Sequence, residues 1–317
     1  MVKANAYGHG LKEIVSLLKD KVNWFGVSSI VEAIEVKKYA KKDTNILVVG
    51  KSNSFDLLVL NRIHITVDTM QELKCIEKIC IETQLNAFVH IAINTGMNRI
   101  GVSSLEEFEE MTNFIKNSKY IVLVGIFTHM YNADQSGDDF NCQMTTFKRY
   151  FSHISKDVFV HVGGSFCLNY RLPKRVNMVR VGLFLYGYGN VNLKPVMQIR
   201  SRIVKILNVK KNENIGYGHN VCKKDRIVAL IPQGYADGLP RKLFNRGFVK
   251  VNGKKCKIIA MVCMDCIIVD ITKVITNVGD KVLVMFDADM ISKWTKISVY
   301  EVLTRFSMAR VKTVIET

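Results

Sequence analysis

The stretch WFGVSSIVEAIEVKKYAKKDTNILVVG, residues 24–50, contains the repeating unit from which the fold can be inferred. The apolar runs Trp24–Val27 and Ile46–Gly50 have the length of buried strands. Between them, Val31–Lys42 carries apolar residues at helical spacing, with lysines and acids on the other face. A strand, a helix and a second strand in this order predict a βαβ unit with parallel strands.

Similar strand candidates occur on both sides of this unit, and a further amphipathic helix is predicted over Leu11–Lys21. Eight candidates are found up to about residue 190: Met1–Ala4, Trp24–Val27, Ile46–Gly50, His64–Asp68, Ala87–Ile93, Ile121–Phe127, Val158–Val162 and Met178–Leu183. Strands that alternate with helices form a parallel sheet with the helices outside. Eight units predict an α/β fold of the (β/α)8 TIM-barrel type.

The pattern changes after about residue 190, where helical periodicity nearly vanishes until Ile297–Ala309. Short β-rich runs replace it, and Asn252-Gly253 between two of them is a hairpin signal. These runs are Ile199–Val209, Arg226–Ile231, Gly247–Val251, Cys256–Asp270 and Lys281–Phe286. We therefore predict a barrel domain over residues 1–190 and a mainly β domain over residues 191–317.

The composition is that of a globular protein, with 48% hydrophobic and 23% charged residues among 317. A net charge of +17 raises the alternative of a nucleic-acid-binding protein, which a salt-dependent mobility shift would detect. The lysines are scattered, however, and form no basic stripe interleaved with aromatic residues. No apolar run is long enough to span a membrane. We expect neither a nucleic-acid nor a membrane partner.

The eight cysteines are scattered through the chain, and no signal peptide precedes the first motif. This usage predicts a cytoplasmic protein with reduced thiols. Cys263 and Cys266 form a CxxC pair, but a structural zinc site would need two more ligands at suitable spacing. The pair lies in the mostly apolar run Ile258–Val269, which we interpret as a buried strand carrying core thiols, and we predict no metal.

The opening VKANAYGHG, residues 2–10, places Lys3 on an apolar stretch that leads into a glycine-containing turn. Active sites of barrels lie at the C-terminal ends of strands, and a desolvated lysine there is a good Schiff-base former. The whole string resembles the pyridoxal-phosphate attachment signature of the alanine racemases. The resemblance implies that Lys3 holds the cofactor covalently and that Tyr7 is a phosphate ligand.

Further motifs of the first domain resemble those of the same family. In NTGMNRIG, residues 94–101, the resemblance assigns Arg99 to the cofactor's phenolic oxygen and the substrate carboxylate. His129 follows an apolar strand and is placed near the pyridine ring. Ser165 ends a Gly-Gly-Ser turn, a type that can donate backbone N–H groups and a hydroxyl to a phosphate.

The segment 177–187 carries Arg180 within an otherwise apolar strand, an expensive position unless the charge is paired. The resemblance places this guanidinium against the pyridine nitrogen. Because arginine is only a donor, that nitrogen would stay unprotonated, which favours racemisation over transamination. The backbone N–H groups of Gly182 and Leu183 are expected to bind the phosphate.

In the β domain, Tyr217 lies in IGYG, residues 215–218, which resembles the loop that carries the second catalytic base. In the family this tyrosine enters the other subunit's active site, which implies a homodimer with shared sites. Tyr235 and Asp265 match residues that line the substrate entrance. The backbone N–H of Met264 is expected to bind the substrate carboxylate.

Three departures from the family pattern are visible. Ala92 stands where many relatives carry a carbamylated lysine, so the support of Arg99 is expected from a small anion, Asn94 or water. Met308 or Ala309 stands where some relatives have a phosphate-binding tyrosine, and Tyr300 is left unassigned. Relatives also have residues before the lysine motif. We therefore expect the first strand to be incomplete and Met1 not to be the natural start.

The resemblance implies an isomerase that interconverts L- and D-alanine with Lys3 and Tyr217 as the two bases. It also implies a supply of D-alanine as a peptidoglycan precursor. A decarboxylase of the same cofactor class would usually need an acidic partner for the pyridine nitrogen, where this chain has Arg180. A non-catalytic carrier of the cofactor would need only the barrel, and the domain with Tyr217 argues against it.

Overall fold

The structure is a computed structural model that describes residues 1–189, 192–285, 287–306 and 312–315. The chain divides into two compact units. The first comprises Met1–Ala6 and Leu11–Leu185, and the second comprises Tyr7–Gly10 together with the chain from Tyr186 onward. The expected positions of Met308 and Ala309 lie outside the described residues.

The first unit is built on a sheet of seven parallel strands in sequence order. They are β1 Trp24–Val27, β2 Asn45–Val48, β3 His64–Val67, β4 Ala87–Ala92, β5 Ile121–His129, β6 Phe159–Gly163 and β7 Met178–Arg180. Helices separate most of them: α1 Leu11–Leu18, α2 Ile30–Tyr39, α3 Phe55–Leu60, α4 Met70–Thr83, α5 Leu105–Asn117 and α6 Gly137–Lys148. The predicted barrel is confirmed, in a nearly closed form with seven hydrogen-bonded strands.

Several helices of this unit begin where the sequence supplies a hydroxyl cap. The side chains of Ser29, Thr69 and Ser104 each accept a hydrogen bond from the N–H three residues later. Such caps satisfy one of the free N–H groups in a first helical turn. They fix the points at which the strand-to-helix loops end, and these loops form the rim of the barrel.

The eighth strand predicted over Met1–Ala4 is not formed as such. The Val2 N–H donates to the Gly26 carbonyl of β1 at 2.9 Å, and the Met1 nitrogen donates to the Val181 carbonyl just after β7 at 2.9 Å. These two residues thus bridge the edges of the sheet before the chain turns away at Lys3. Beside them lies a cavity of about 180 Å³ lined by Trp24, Leu185 and other apolar side chains.

The second unit contains two antiparallel sheets, in the strand orders β13-β10-β9 and β12-β11-β14-β8. The strands are β8 Ile199–Arg202, β9 Lys205–Val209, β10 Arg226–Ile231, β11 Phe248–Val251, β12 Lys254–Lys257, β13 Ile267–Asp270 and β14 Lys281–Met285. The helices are α7 Ala288–Thr295 and α8 Val299–Arg305. Asn252 and Gly253 join β11 to β12 with positive φ, as the hairpin signal predicts. The predicted mainly β domain is confirmed.

One strand prediction in this unit is wrong. The run Ile258–Val269 is not a continuous strand, because only an isolated bridge at Ile258 precedes the start of β13 at Ile267. Cys263 and Cys266 lie in the connecting loop, half-buried. Within the described part of the chain, no helix is long and apolar enough to cross a membrane.

Candidate active site

Lys3 begins a left-handed helical turn, Lys3–Tyr7, instead of lying on the predicted strand. The φ angles of Ala4, Asn5 and Ala6 are 52°, 52° and 53°, a region that costs L-residues about 1 kcal/mol or more each. Side chains of the first unit hold this geometry. Glu32 accepts from the Ala4 N–H at 2.6 Å, and the Asn5 amide oxygen accepts from the Leu11 N–H at 2.7 Å.

The surroundings of Lys3 favour its neutral amine. The side chain is half-buried, and burial lowers its pKa. Arg99 and Arg180 lower the pKa further, while Glu32 opposes them. A neutral lysine amine is a nucleophile and a base, whereas the ammonium form is neither.

Arg180 ends β7 as a buried cation with fixed partners. It donates from Nη1 to His161 Nδ1 at 2.7 Å and from Nη2 to the Thr128 carbonyl at 2.9 Å. Its Cζ lies 4.4 Å from the centre of the Phe127 ring. Burial lowers its pKa to about 9, which leaves the guanidinium charged at neutral pH. The sequence had indicated a paired arginine but not its partner His161.

His129 ends β5 beside this guanidinium, and its imidazole ring is uncharged at neutral pH. Burial lowers its pKa to about 3, and Arg180, Arg99 and Lys3 act in the same direction. The backbone of Gly163 leaves the necessary room, because a Cβ there would lie 2.2 Å from Arg180 Nη2 and 2.4 Å from His129 Nδ1. His129 can therefore pack or donate one hydrogen bond, but it cannot serve as a cationic acid.

Ser165 and the backbone N–H groups that follow β7 form a compact set of polar groups. The hydroxyl oxygen of Ser165 accepts from the Gly182 N–H at 2.9 Å and from the Phe184 N–H at 3.2 Å. Leu183 lies between them and opens a 3-10 turn, Leu183–Tyr186. The structure thus brings Ser165 and Gly182 together, and it adds the Phe184 N–H, which the sequence-based set does not contain.

Arg99 is exposed in the single chain, on the loop that follows β4. Asn94 does not reach toward it, since its amide oxygen accepts from the N–H groups of Gly96 and Asn98, and its amide nitrogen donates to Asn98 and Ser103. Because Arg99 is exposed, its charge does not need a buried partner in place of the carbamylated lysine that many relatives carry at the position of Ala92. Ala92 is itself buried.

A cluster of three charged residues, absent from the sequence-based set, supports the arginine loop. Asp68, just after β3, accepts from the Gly101 N–H at 2.8 Å and pairs with Lys51. Lys51 also pairs with Glu72 in the first turn of α4. A carboxylate directly after a barrel strand was the only available signal for this cluster.

Tyr7 is a buried phenol in the second unit. Its ring lies 4.9 Å from that of Tyr186 and 6.0 Å from that of Tyr300. Burial, reinforced by Tyr300, raises its pKa to about 12. The phenol therefore keeps its proton and can act as a hydrogen-bond donor to an anion.

Tyr217 is 69% exposed at the tip of a turn, between Gly216 and Gly218 with φ angles of 69° and 78°. The base of this turn is ordered by a hydrogen bond from the Ile215 N–H to the Asn220 carbonyl at 3.0 Å. A large aromatic side chain is thus presented outward on a defined backbone.

The two remaining motifs of the second unit are tied together through their backbones. The Tyr235 N–H donates to the Cys263 carbonyl and the Ala236 N–H to the Met264 carbonyl, both at 3.0 Å. Tyr235 also lies beneath the Arg241 guanidinium, and Met264 and Asp265 are exposed. Among the described residues, no cluster of three or more His, Cys, Asp or Glu side chains could hold a metal ion.

Comparison with known proteins covers both units. The model of the alanine racemase N-terminal domain matches residues 1–190, and that of the C-terminal domain matches residues 196–315. An alanine racemase of Borreliella burgdorferi is 36% identical over 325 residues, covering 95% of this chain and 86% of the relative. One of Staphylococcus epidermidis is 32% identical over 308 residues, covering 90% and 78%.

Solved structures agree with these sequence matches. The alanine racemase of Clostridium difficile 630 superimposes with a TM-score of 0.89 at 32% identity, covering 96% of this chain and 85% of that one. The alanine racemase of Bartonella henselae, solved with covalently bound pyridoxal phosphate, gives a TM-score of 0.84 at 25% identity, covering 97% and 89%. This chain belongs to the alanine racemase family of isomerases.

Proposed function

We propose that this chain interconverts L- and D-alanine with pyridoxal phosphate and supplies D-alanine as a peptidoglycan precursor in the cytoplasm. The barrel domain, residues 1–190, would bind the cofactor, and residues 191–317 would carry the second base. The observation that supports this best is the arrangement around Lys3. A lysine with a lowered pKa shares the barrel rim with the buried cation Arg180.

The residues present fit this cofactor, which is an anion with an aldehyde group. Lys3 would hold it covalently, and Tyr7, Ser165 and the N–H groups of Gly182 and Leu183 would bind its phosphate. Ser165 and Gly182 already share a hydrogen bond, so their polar groups converge on one small region. When bound, pyridoxal phosphate withdraws electrons from the α-carbon of an amino acid and so acidifies the α-proton.

Arg180 would donate a hydrogen bond to the ring nitrogen while His129 lies near the ring. Because a guanidinium does not give up its proton, the nitrogen would stay unprotonated and the electron withdrawal would stay limited. This protonation state favours return of the proton to the α-carbon, as racemisation requires. The fixed hydrogen bonds of Arg180 to His161 and Thr128 hold the guanidinium in place for this purpose.

Inversion requires proton transfer on both faces of the α-carbon. Lys3 would exchange a proton on one face and Tyr217 of a second subunit on the other, within a homodimer that shares its sites. The exposure of Tyr217 on an ordered turn supports a role outside its own unit. Arg99 and the Met264 N–H would hold the substrate carboxylate, while Tyr235 and Asp265 would line the entrance.

Reduction with borohydride tests the attachment residue. In protein purified with pyridoxal phosphate, peptide mapping should find the reduced label on Lys3. A Lys3→Ala variant should lose the label, while Lys19→Ala, which alters an exposed lysine, should retain it. A label on any other lysine of the unaltered protein would contradict the assignment.

Replacement of Tyr217 by Phe tests the second base. Racemisation should be lost in both directions, while Lys3 should still exchange the α-proton of one enantiomer, by resemblance D-alanine, with deuterium. Mixing Tyr217→Phe with Lys3→Ala protein should restore activity, since a mixed dimer contains one intact site. Equal loss of exchange for both enantiomers, or no restoration in demonstrably mixed dimers, would argue against the shared two-base site.

A further inference from the structure

A row of three buried histidines crosses the barrel interior behind Arg180. His161 of β6 lies with Nε2 at 2.9 Å from Nδ1 of His90 on β4. Nε2 of His90 lies 3.2 Å from Nδ1 of His64 on β3. The row ends where Nε2 of His64 lies 3.2 Å from the amide oxygen of Asn45 on β2.

The hydrogen bonds of this row can run in one direction only. Arg180 has no acceptor, so Nδ1 of His161 must accept and the proton of that ring must sit on Nε2. His90 then accepts at Nδ1 and donates from Nε2, and His64 does the same in turn. The Asn45 amide oxygen accepts the last hydrogen bond of the row, from Nε2 of His64. Each ring is therefore the Nε2–H tautomer, a choice set by the neighbours of each nitrogen.

The rings must also be neutral for this pattern to hold. Burial lowers the pKa of His64 to about 4, and it lowers those of His90 and His161 well below the usual value. Arg180 lowers the pKa of the latter two further. A protonated His161 would present an N–H to the guanidinium, where two donors would face each other.

The barrel makes specific room for these rings. A Cβ at Gly125 of β5 would lie 2.4 Å from Nδ1 of His90. Trp24 packs against the rings of His64 and His90, with centres 4.7 and 5.4 Å apart. Barrel interiors are usually filled by branched apolar residues, and buried polar groups are costly unless they are hydrogen-bonded. Three imidazoles joined end to end satisfy this condition.

We propose that His90 and His64 are positioning residues for Arg180. They fix the tautomer of His161, so that His161 Nδ1 always accepts from the guanidinium and Arg180 stays oriented to donate toward the cofactor's ring nitrogen. This inference rests on the proposed function, in which Arg180 faces that nitrogen. It extends the active site to a residue three hydrogen bonds away from Arg180, near the opposite end of the barrel strands.

His64→Leu removes the acceptor of the His90 Nε2–H and leaves that donor unpaired inside the barrel. The row can relieve the unpaired donor only by reversing, which leaves Nε2 as an unpaired acceptor, a less costly state than an unpaired N–H. The reversal would put a proton on Nδ1 of His161, against Arg180. His64→Gln offers an amide oxygen to His90 and should restore the original direction. Thr66→Val is the matched control, because Thr66 is a buried hydrogen-bonded residue of the same strand outside the row.

The direct readout is the tautomer of each ring, measured by NMR on cofactor-free protein with ¹⁵N-labelled histidine. All three rings should be Nε2–H in the unaltered protein and in Thr66→Val, while His64→Leu should show Nδ1–H at His161. In the loaded enzyme, kcat of His64→Leu should fall about tenfold or more with little change in KM, as for loss of one charged hydrogen bond. His64→Gln should recover most of this loss.

An unchanged His161 tautomer in His64→Leu, or a kcat no lower than that of Thr66→Val, would overturn this inference and leave the proposed function standing. If His64→Leu fails to fold, the unaltered protein still decides, because an Nδ1–H or protonated His161 would contradict the row. If the unaltered protein does not racemise alanine, the proposed function fails and the positioning role fails with it.

Discussion

Lowering the pH from 7 toward about 5 should destabilise the first unit steeply, because four of its histidines are held neutral. In the unfolded chain these rings titrate near 6.5, whereas the folded-state pKa is about 4 for His64 and about 3 for His129. Those of His90 and His161 are also far below 6.5. Their stabilising contribution is therefore complete above about pH 6.5 and is lost as the pH falls toward the folded-state values.

The size of the effect follows from proton counting. Each proton bound only by the unfolded chain changes the free energy of unfolding by about 1.4 kcal/mol per pH unit. Four such rings give a slope of up to about 5 kcal/mol per pH unit near pH 5. Since whole domains are stable by about 5–15 kcal/mol, one pH unit should remove a large part of the stability.

Urea unfolding of cofactor-free protein measures this slope when the free energy of unfolding is determined at several pH values between 7 and 5. The protein concentration is kept the same throughout. His64→Gln should reduce it by about one proton, which is about 1.4 kcal/mol per pH unit. His219→Gln alters an exposed histidine and should leave the slope unchanged. If the free energy of unfolding of the unaltered protein changed by about 1.4 kcal/mol per pH unit or less, which corresponds to one proton, the neutral, buried state of these rings would be refuted.

Three substitutions test other parts of the site. Arg180→Glu places an acceptor where the guanidinium donates, so keto acid should be released from alanine in a coupled dehydrogenase assay; racemisation without keto acid would contradict the role of Arg180. Gly163→Ala places a Cβ 2.2 Å from Arg180 Nη2. It should lower the free energy of unfolding in urea by about 1–3 kcal/mol and reduce activity at least about tenfold. Full activity would show that the space beside the guanidinium is not needed. Asp68→Asn removes the charge that pairs with Lys51 and loosens the Arg99 loop, so KM for alanine should rise several-fold with kcat nearly constant; a fall in kcat alone would argue against this support.

The fold was accessible from the sequence because its signals are local. Apolar runs such as Ile46–Gly50 and helical spacing in Val31–Lys42 each depend on a few consecutive residues, and the structure places β2 and α2 there. The buried Arg180 was also predictable, since a charge within an apolar strand needs a partner. The loop with Cys263 and Cys266 was missed, because an apolar run alone does not separate a strand from a packed loop.

The contacts that organise the site were not accessible in the same way. His64, His90 and His161 are 26 and 71 residues apart along the chain, and no periodicity links them. The pairing of Asp68 with the Gly101 N–H spans 33 residues. Such contacts depend on which strands become neighbours around the barrel, which follows from tertiary structure and not from local propensity.

The left-handed turn at Lys3 has a consequence for the order of assembly. Ala4, Asn5 and Ala6 oppose their own backbone preference, so this segment cannot be an early nucleus of folding. It gains its shape only when Glu32 of α2 is available to accept the Ala4 N–H and when β1 can accept the Val2 N–H. A newly made chain should therefore complete these neighbours first and capture pyridoxal phosphate afterwards, as a late event in maturation.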